Sequence, residues 1–232
     1  MIATTRRRHR IDFRSFSSTS QGTGRPVRER QYFEQRVDDA FGARQAPLEA
    51  LLDEAGPVAR ACHAMAERFH TGGKLIVFGN GGESTDAQHL SVEFVHPVIV
   101  GKRALPAISL TADVATMTGV AAREGFAEVF AHQLRYLAVG DDIALGLSVD
   151  GGCANVLRGL EQAHEAGLLT VALVGGDGGA LAASPAVDHL LRATSDDPRV
   201  IKEVHVTMYH VLWELVHVFF EHPGVLTPEA AR

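Results

Sequence analysis

The sequence predicts an α/β protein: a three-layer α/β/α sandwich with a central parallel sheet, preceded by N-terminal helices. Three observations predict it. Apolar runs over 75–78, 107–110, 142–147, 168–174 and 188–193 lack polar alternation, as strands covered on both faces do. Helical patterns separate these runs, which argues for parallel strands joined by crossovers. Glycine-rich segments follow three of the runs: Gly79-Asn80-Gly81-Gly82, Gly151-Gly152 and Gly175-Gly176-Asp177-Gly178-Gly179. In such sheets ligands bind at the carboxyl ends of the strands, where these segments fall.

In chain order, residues 1–28 come first. Arg6, Arg7, Arg8, Arg10 and Arg14 stand among Ser and Thr, with Asp12 the only acid before Glu29. Such composition describes a transit peptide, but a disordered basic tail or an upstream-extended start is the simpler reading, because nothing else points to an organelle; a cleavable apolar core is absent. Residues 29–225 then form one domain, with helices over 29–70 and the α/β core over 74–221. The first helix, over 29–54, carries an apolar stripe of Tyr32, Phe33, Val37, Phe41 and Leu48. Gly56-Pro57 punctuates, and a second helix runs over 58–70. The two helices make a helical cap or a subunit interface, alternatives the chain leaves open. Beyond 75–78, helices are expected over 84–95, near 113–120, near 126–137, over 153–166 and from about 198 to 221.

The central stretch is Lys74 to Glu93. A strand feeds a glycine loop and then a helix, whose first N–H groups point outward unpaired, a ready anion or sugar site. The helix carries His89 and Glu93 four residues apart, on one face. Neither a dinucleotide-binding GxGxxG nor a GxxxxGK[ST] phosphate loop is present, so Gly79-Asn80-Gly81-Gly82 alone also fits a tight turn without ligand.

The totals bound the function. A chain of 232 residues, 46% hydrophobic with 23 glycines, suits one such domain with a sizeable core. A net charge of −6 gives no reason to expect nucleic-acid binding. No apolar run approaches the roughly 20 residues that span a membrane. Two cysteines, Cys62 and Cys153, make no disulfide framework, and a reduced cytoplasmic setting is the simplest expectation.

Several motifs together resemble the phosphoheptose isomerase family of sugar-isomerase (SIS) domain proteins: GNGG with DAQH and Glu93, the loop at Ser148, LVGGDGG, and IKEVHVTMYH in the last helix. The likeness covers roughly residues 30–221. It implies a flavodoxin-like sandwich, a homotetramer (or dimer) with active sites shared between subunits, a sugar or sugar-phosphate ligand, and often zinc. The family's base falls on Glu93 and its histidine partner on His210. Aldose–ketose isomerisation needs such a pair, because a proton passes between neighbouring carbons through an enediol. The family's zinc ligands fall on His89, Glu93, Lys202 and His210. Lys202 is a departure, since a protonated ammonium has no lone pair to give a cation.

The phosphate site departs further. Glu83 stands where the family has serine, and the second loop reads Ser148-Val149-Asp150-Gly151-Gly152-Cys153, keeping only the first hydroxyl. Family acids fall on Arg123 and Arg199. Two explanations compete. Glu83 and Asp150 pair with Arg123, Arg199 or Lys202 and close the pocket, leaving a non-catalytic binding or scaffold protein. Or the pocket, with Asn80, Gly81 and Gly82 at its rim, is rebuilt for a different sugar with the isomerase chemistry kept, the reading favoured here. Taken singly, His89 and Glu93 also read as a solvated pair, His210 as a core histidine, Cys153 as a small residue filling a serine's place, and His205 as an ordinary histidine.

Overall fold

The computed structural model describes residues 25–226. The described residues divide into two compact units, with the boundary after Gly42. The first unit's described residues are helical: α1 (Arg25–Glu49) starts there and runs past its boundary. It begins a few residues earlier than expected, and the rest of the basic segment lies outside the described residues. The apolar stripe faces solvent in the single chain: Tyr32, Phe33, Val37 and Phe41 are all exposed, Phe41 by 73%.

The second unit continues with α2 (Ala55–His70), β1 (Leu75–Gly79), α3 (Gly82–Val95), β2 (Ala107–Ser109) and α4 (Val114–Glu124). Then come α5 (Val129–Leu137), β3 (Ile143–Ser148), α6 (Ala154–Glu165), β4 (Leu169–Gly175), α7 (Gly179–Ala182), β5 (His189–Ala193) and α8 (Pro198–Glu221). Gly56 and Pro57 do not separate two helices. They lie inside the first turn of α2, where proline's missing N–H costs nothing. No helix among the described residues is long and apolar enough to cross a membrane.

All five strands are parallel, in the order β2-β1-β3-β4-β5. Every residue of β1, β3 and β4 is buried, which accounts for their unbroken apolar runs. Alternate residues enter two different cores. Leu75, Val77, Leu145, Leu147, Val171 and Leu173 pack with α2, α3 and α8. Ile76, Phe78, Ala144, Ala172 and Val174 pack with α5 and α6. Close approach of α6 to the sheet requires Gly159, since a Cβ there would sit 2.9 Å from the Phe78 ring.

The strand order reverses between β1 and β3. At such a switch point the two neighbouring loops diverge above and below the sheet and leave a crevice outside the strand ends. The loops bordering it are 79–82 and 148–153.

Candidate active site

Gly79 ends β1 and the chain turns at once into α3. A Cβ on Gly79 would lie 2.8 Å from the Glu83 Cβ and 3.0 Å from the Leu147 carbonyl, so only glycine permits the turn. Gly81 caps α3 with a φ of 55°, and the helix therefore starts at Gly82, ahead of the expected Ser84. Ser84 and Thr85 spend their hydroxyls on the carbonyls of Gly81 (2.7 Å) and Gly82 (2.6 Å) instead of capping. Asn80 reaches across the crevice to Asn155, near the start of α6. Each side-chain amide donates to the other's oxygen at 2.8 Å, which ties the two loops together.

The loop after β3 is built around its own carboxylate. Asp150 Oδ1 accepts from the Gly152 N–H at 2.9 Å. Ser148, fully buried, accepts from the Gly151 N–H at 3.0 Å and makes a long donor contact of 3.4 Å to Asp150. A Cβ on Gly151, whose φ is 68°, would lie 1.9 Å from the Gly178 carbonyl, so the turn after β4 braces this loop backbone to backbone. Cys153 caps α6 without a side-chain hydrogen bond and is half-buried.

Glu83 is only 8% exposed. Burial raises its carboxyl pKa, and the like charges of Asp86 and Asp150 push the same way; a backbone hydrogen bond and the charge of Lys202 oppose them. Among the described residues, no ion pair joins Glu83 or Asp150 to a base. Lys202 instead clips α8 to the first turns of α3, donating to Asp86 Oδ2 at 2.7 Å and to the Gly82 carbonyl at 2.8 Å. Arg199 pairs with Asp197 at 2.7 Å. Arg123 stands in the last turn of α4. The salt bridges that a closed, non-catalytic pocket calls for are therefore not formed among the described residues.

Farther along α3, one helical turn sets His89 beside Glu93, with Nε2 3.2 Å from Oε1. Helix α8 brings Tyr209 and His210 to the same place. The Tyr209 hydroxyl is 2.8 Å from His89 Nδ1, and the rings of His89 and His210 stand 5.2 Å apart, nearly perpendicular. Glu93 is only 12% exposed while His89 is 43% exposed, so the carboxylate sits under an open imidazole. The Trp213 indole N–H donates to the Glu93 carbonyl at 2.9 Å and holds α3 against α8. One ligand atom each from His89, Glu93 and His210 all lie within 4.8 Å of one another. Two imidazoles and a carboxylate are a donor set that fits a catalytic zinc. The Lys202 ammonium stays with Asp86.

His89, Glu93 and His210, grouped by sequence reasoning, lie together in the structure. That reasoning missed Asn155, Asp86 and Tyr209. Asp86 left a signal, an acid one turn ahead of His89 within a helix that must bury a face. His205 is buried and burial lowers its pKa, as befits a neutral core imidazole.

A parallel five-stranded sheet among the described residues and a match of residues 42–175 to the SIS domain model define the class, a SIS-domain enzyme. The chain belongs to the phosphoheptose isomerase family and is an enzyme of the isomerase class. It is 39% identical to the phosphoheptose isomerase of Solidesulfovibrio magneticus over 186 residues, 80% of this chain and 88% of that one. With the Helicobacter pylori (strain P12) enzyme it shares 36% identity, over 80% of this chain and 96% of the other. The solved structure of a phosphoheptose isomerase from Francisella tularensis superposes with a TM-score of 0.74 at 34% identity, covering 79% and 97% of the two chains.

Proposed function

We propose that the protein interconverts an aldose and a ketose by proton transfer through an enediol, with Glu93 and His210 as the acid–base pair. One observation carries the reading: a carboxylate from α3 and an imidazole from α8 lie within 4.8 Å of each other. One group takes the proton from the carbon next to the carbonyl, and the other gives a proton to the carbonyl oxygen, forming the enediol. The first proton then goes to the former carbonyl carbon, while the hydroxyl on the carbon that gave it up loses its own proton and becomes the new carbonyl, which completes the exchange. His89, Glu93 and His210 are the residues that would hold a zinc ion, which supplies Lewis-acid polarisation of the sugar's oxygens when bound.

The sugar differs from the relatives' phosphorylated heptose at the end facing Glu83 and Asp150. A phosphate dianion at about 4 Å from one carboxylate meets repulsion of about 4 kcal/mol per unit charge at an effective dielectric near 20. The loop N–H groups that would offset it are already occupied by Asp150 and Ser148. Sugar hydroxyls donate to the same carboxylates without that cost. The exposed face of α1 supports a further element of the reading, assembly as a homotetramer or dimer through Tyr32, Phe33, Val37 and Phe41.

The test is incubation with sedoheptulose 7-phosphate and a panel of free and phosphorylated sugars, with and without zinc, reading product by NMR. Turnover of at least one sugar, lost in Glu93→Gln and in His210→Asn, is the expected result. Silence across the panel overturns the reading.

A further inference from the structure

We infer that Tyr209 is a positioning residue: its buried hydroxyl holds the His89 imidazole so that Nε2 stays directed at Glu93. The inference rests on the acid–base and metal reading of the cluster above.

Three observations carry it. First, Tyr209 is fully buried in the core between α8 and the sheet, yet its hydroxyl reaches the site, 2.8 Å from His89 Nδ1. Among the described residues this is the hydroxyl's one side-chain hydrogen bond, so the group is spent on His89. Second, the His89 ring lies 43% exposed on a helix surface with Glu93 and His210 as its other neighbours, and an exposed side chain has rotamers to choose among. A partner fixed in the core removes that freedom. Third, the Tyr209 ring backs both imidazoles, edge to face with His89 at 5.6 Å and against His210 at 4.9 Å.

The chemistry of the partner matters as well. A hydroxyl both donates and accepts, whereas a carboxylate or a carbonyl only accepts. When Nε2–H donates to Glu93, Nδ1 bears a lone pair and the Tyr209 O–H donates to it. When the Nε2 lone pair is given to a cation, Nδ1 carries the proton and the Tyr209 oxygen accepts. The same contact therefore serves both tautomers without moving the ring, the task that partners of metal-bound histidines perform.

The experiment compares wild type, Tyr209→Phe and His89→Ala in zinc titrations against a chromophoric chelator, with thermal melts to check folding. Tyr209→Phe keeps the buried ring and is expected to melt close to wild type while binding zinc about 10- to 100-fold more weakly. On any sugar the wild type turns over, kcat falls and KM changes little. Wild-type affinity in Tyr209→Phe, with His89→Ala weakened, overturns the inference. Wild-type binding no tighter than His89→Ala instead overturns the metal reading, and the inference is then decided on zinc-free protein by 15N spectra of the His89 ring. One ordered tautomer in wild type that becomes averaged in Tyr209→Phe supports it, and identical spectra overturn it. Should Tyr209→Phe fail to fold, wild type alone decides: the ring proton moves from Nε2 to Nδ1 on zinc loading, and an unchanged tautomer overturns the inference.

Discussion

Asn80 and Asn155 exchange two side-chain amide hydrogen bonds, each 2.8 Å long, across the crevice between β1 and β3. The pair closes a ring between the glycine loop and the start of α6, and Asn155 is buried. A buried amide deprived of its partner loses about 1–3 kcal/mol. Asn155→Ala is expected to destabilise by that amount, lowering Tm by roughly 2–4 °C per kcal/mol for a chain of this size. Because the loop it anchors borders the site, kcat/KM falls as well. Calorimetry with steady-state kinetics checks both.

Removing either half of the acid–base pair separates chemistry from binding. Glu93→Gln and His210→Asn keep shape but cannot cycle a proton as the native groups do, and kcat is expected to drop about 10²- to 10⁴-fold with KM changed little. Proton exchange from solvent into the sugar, followed by NMR, is lost in parallel. A variant retaining wild-type exchange would refute the assigned pair.

Exchanging the two carboxylates for hydroxyls reverses the preference at the sugar's far end. In the double variant Glu83→Ser with Asp150→Ser, the ratio of kcat/KM for phosphorylated over free sugar is expected to rise at least tenfold, since relief of one unit of repulsion in a partly dry cleft exceeds the ~1.4 kcal/mol that a tenfold change requires. An unchanged ratio would show that neither carboxylate faces that end.

Glu83 also predicts a pH dependence. Burial, first, and the neighbouring Asp86 and Asp150 raise its folded pKa above the ordinary carboxylate value. The native state therefore holds the proton longer than the unfolded chain. Its stabilising contribution is present below the unfolded value near 4.5 and is lost as pH rises through the higher folded pKa. Urea unfolding across this range should show Glu83→Gln gaining stability relative to wild type as pH rises. Parallel curves at all pH values would contradict it.

The exposed stripe on α1 gives an oligomerisation test. Light scattering after size exclusion is expected to show a tetramer or dimer, and Phe33→Glu with Phe41→Glu to shift it toward monomer. A monomeric wild type would remove this part of the proposal.

Much of the fold was legible locally. Strands buried on both faces betray themselves as unbroken apolar runs, and α8 begins at Pro198, with Asp197 as its cap, and ends at Glu221, where the sequence pattern sets its limits. Local signals failed where a residue serves a distant partner. Nothing near Asn155 announces Asn80, and nothing near Tyr209 announces His89. The start of α3 was misplaced because Ser84 looks like a cap, whereas the positive φ of Gly81 performs that role. Lys202 falls on a position where the resemblance implies a zinc ligand, yet it does not join the cluster. Its partner Asp86, on the neighbouring helix, draws it toward the first turns of α3.

The backbone contact between Gly151 and Gly178 constrains how this pocket can be re-engineered. A saturation library across the loop would tolerate exchange at Cys153, whose side chain makes no capping hydrogen bond, and at Asp150 with loss of its hydrogen bond to the Gly152 N–H. At Gly151 any added carbon collides with a carbonyl 1.9 Å away, so survivors there should all read glycine. Substrate range and loop trajectory are thus controlled by adjacent codons, and only the first is free to drift.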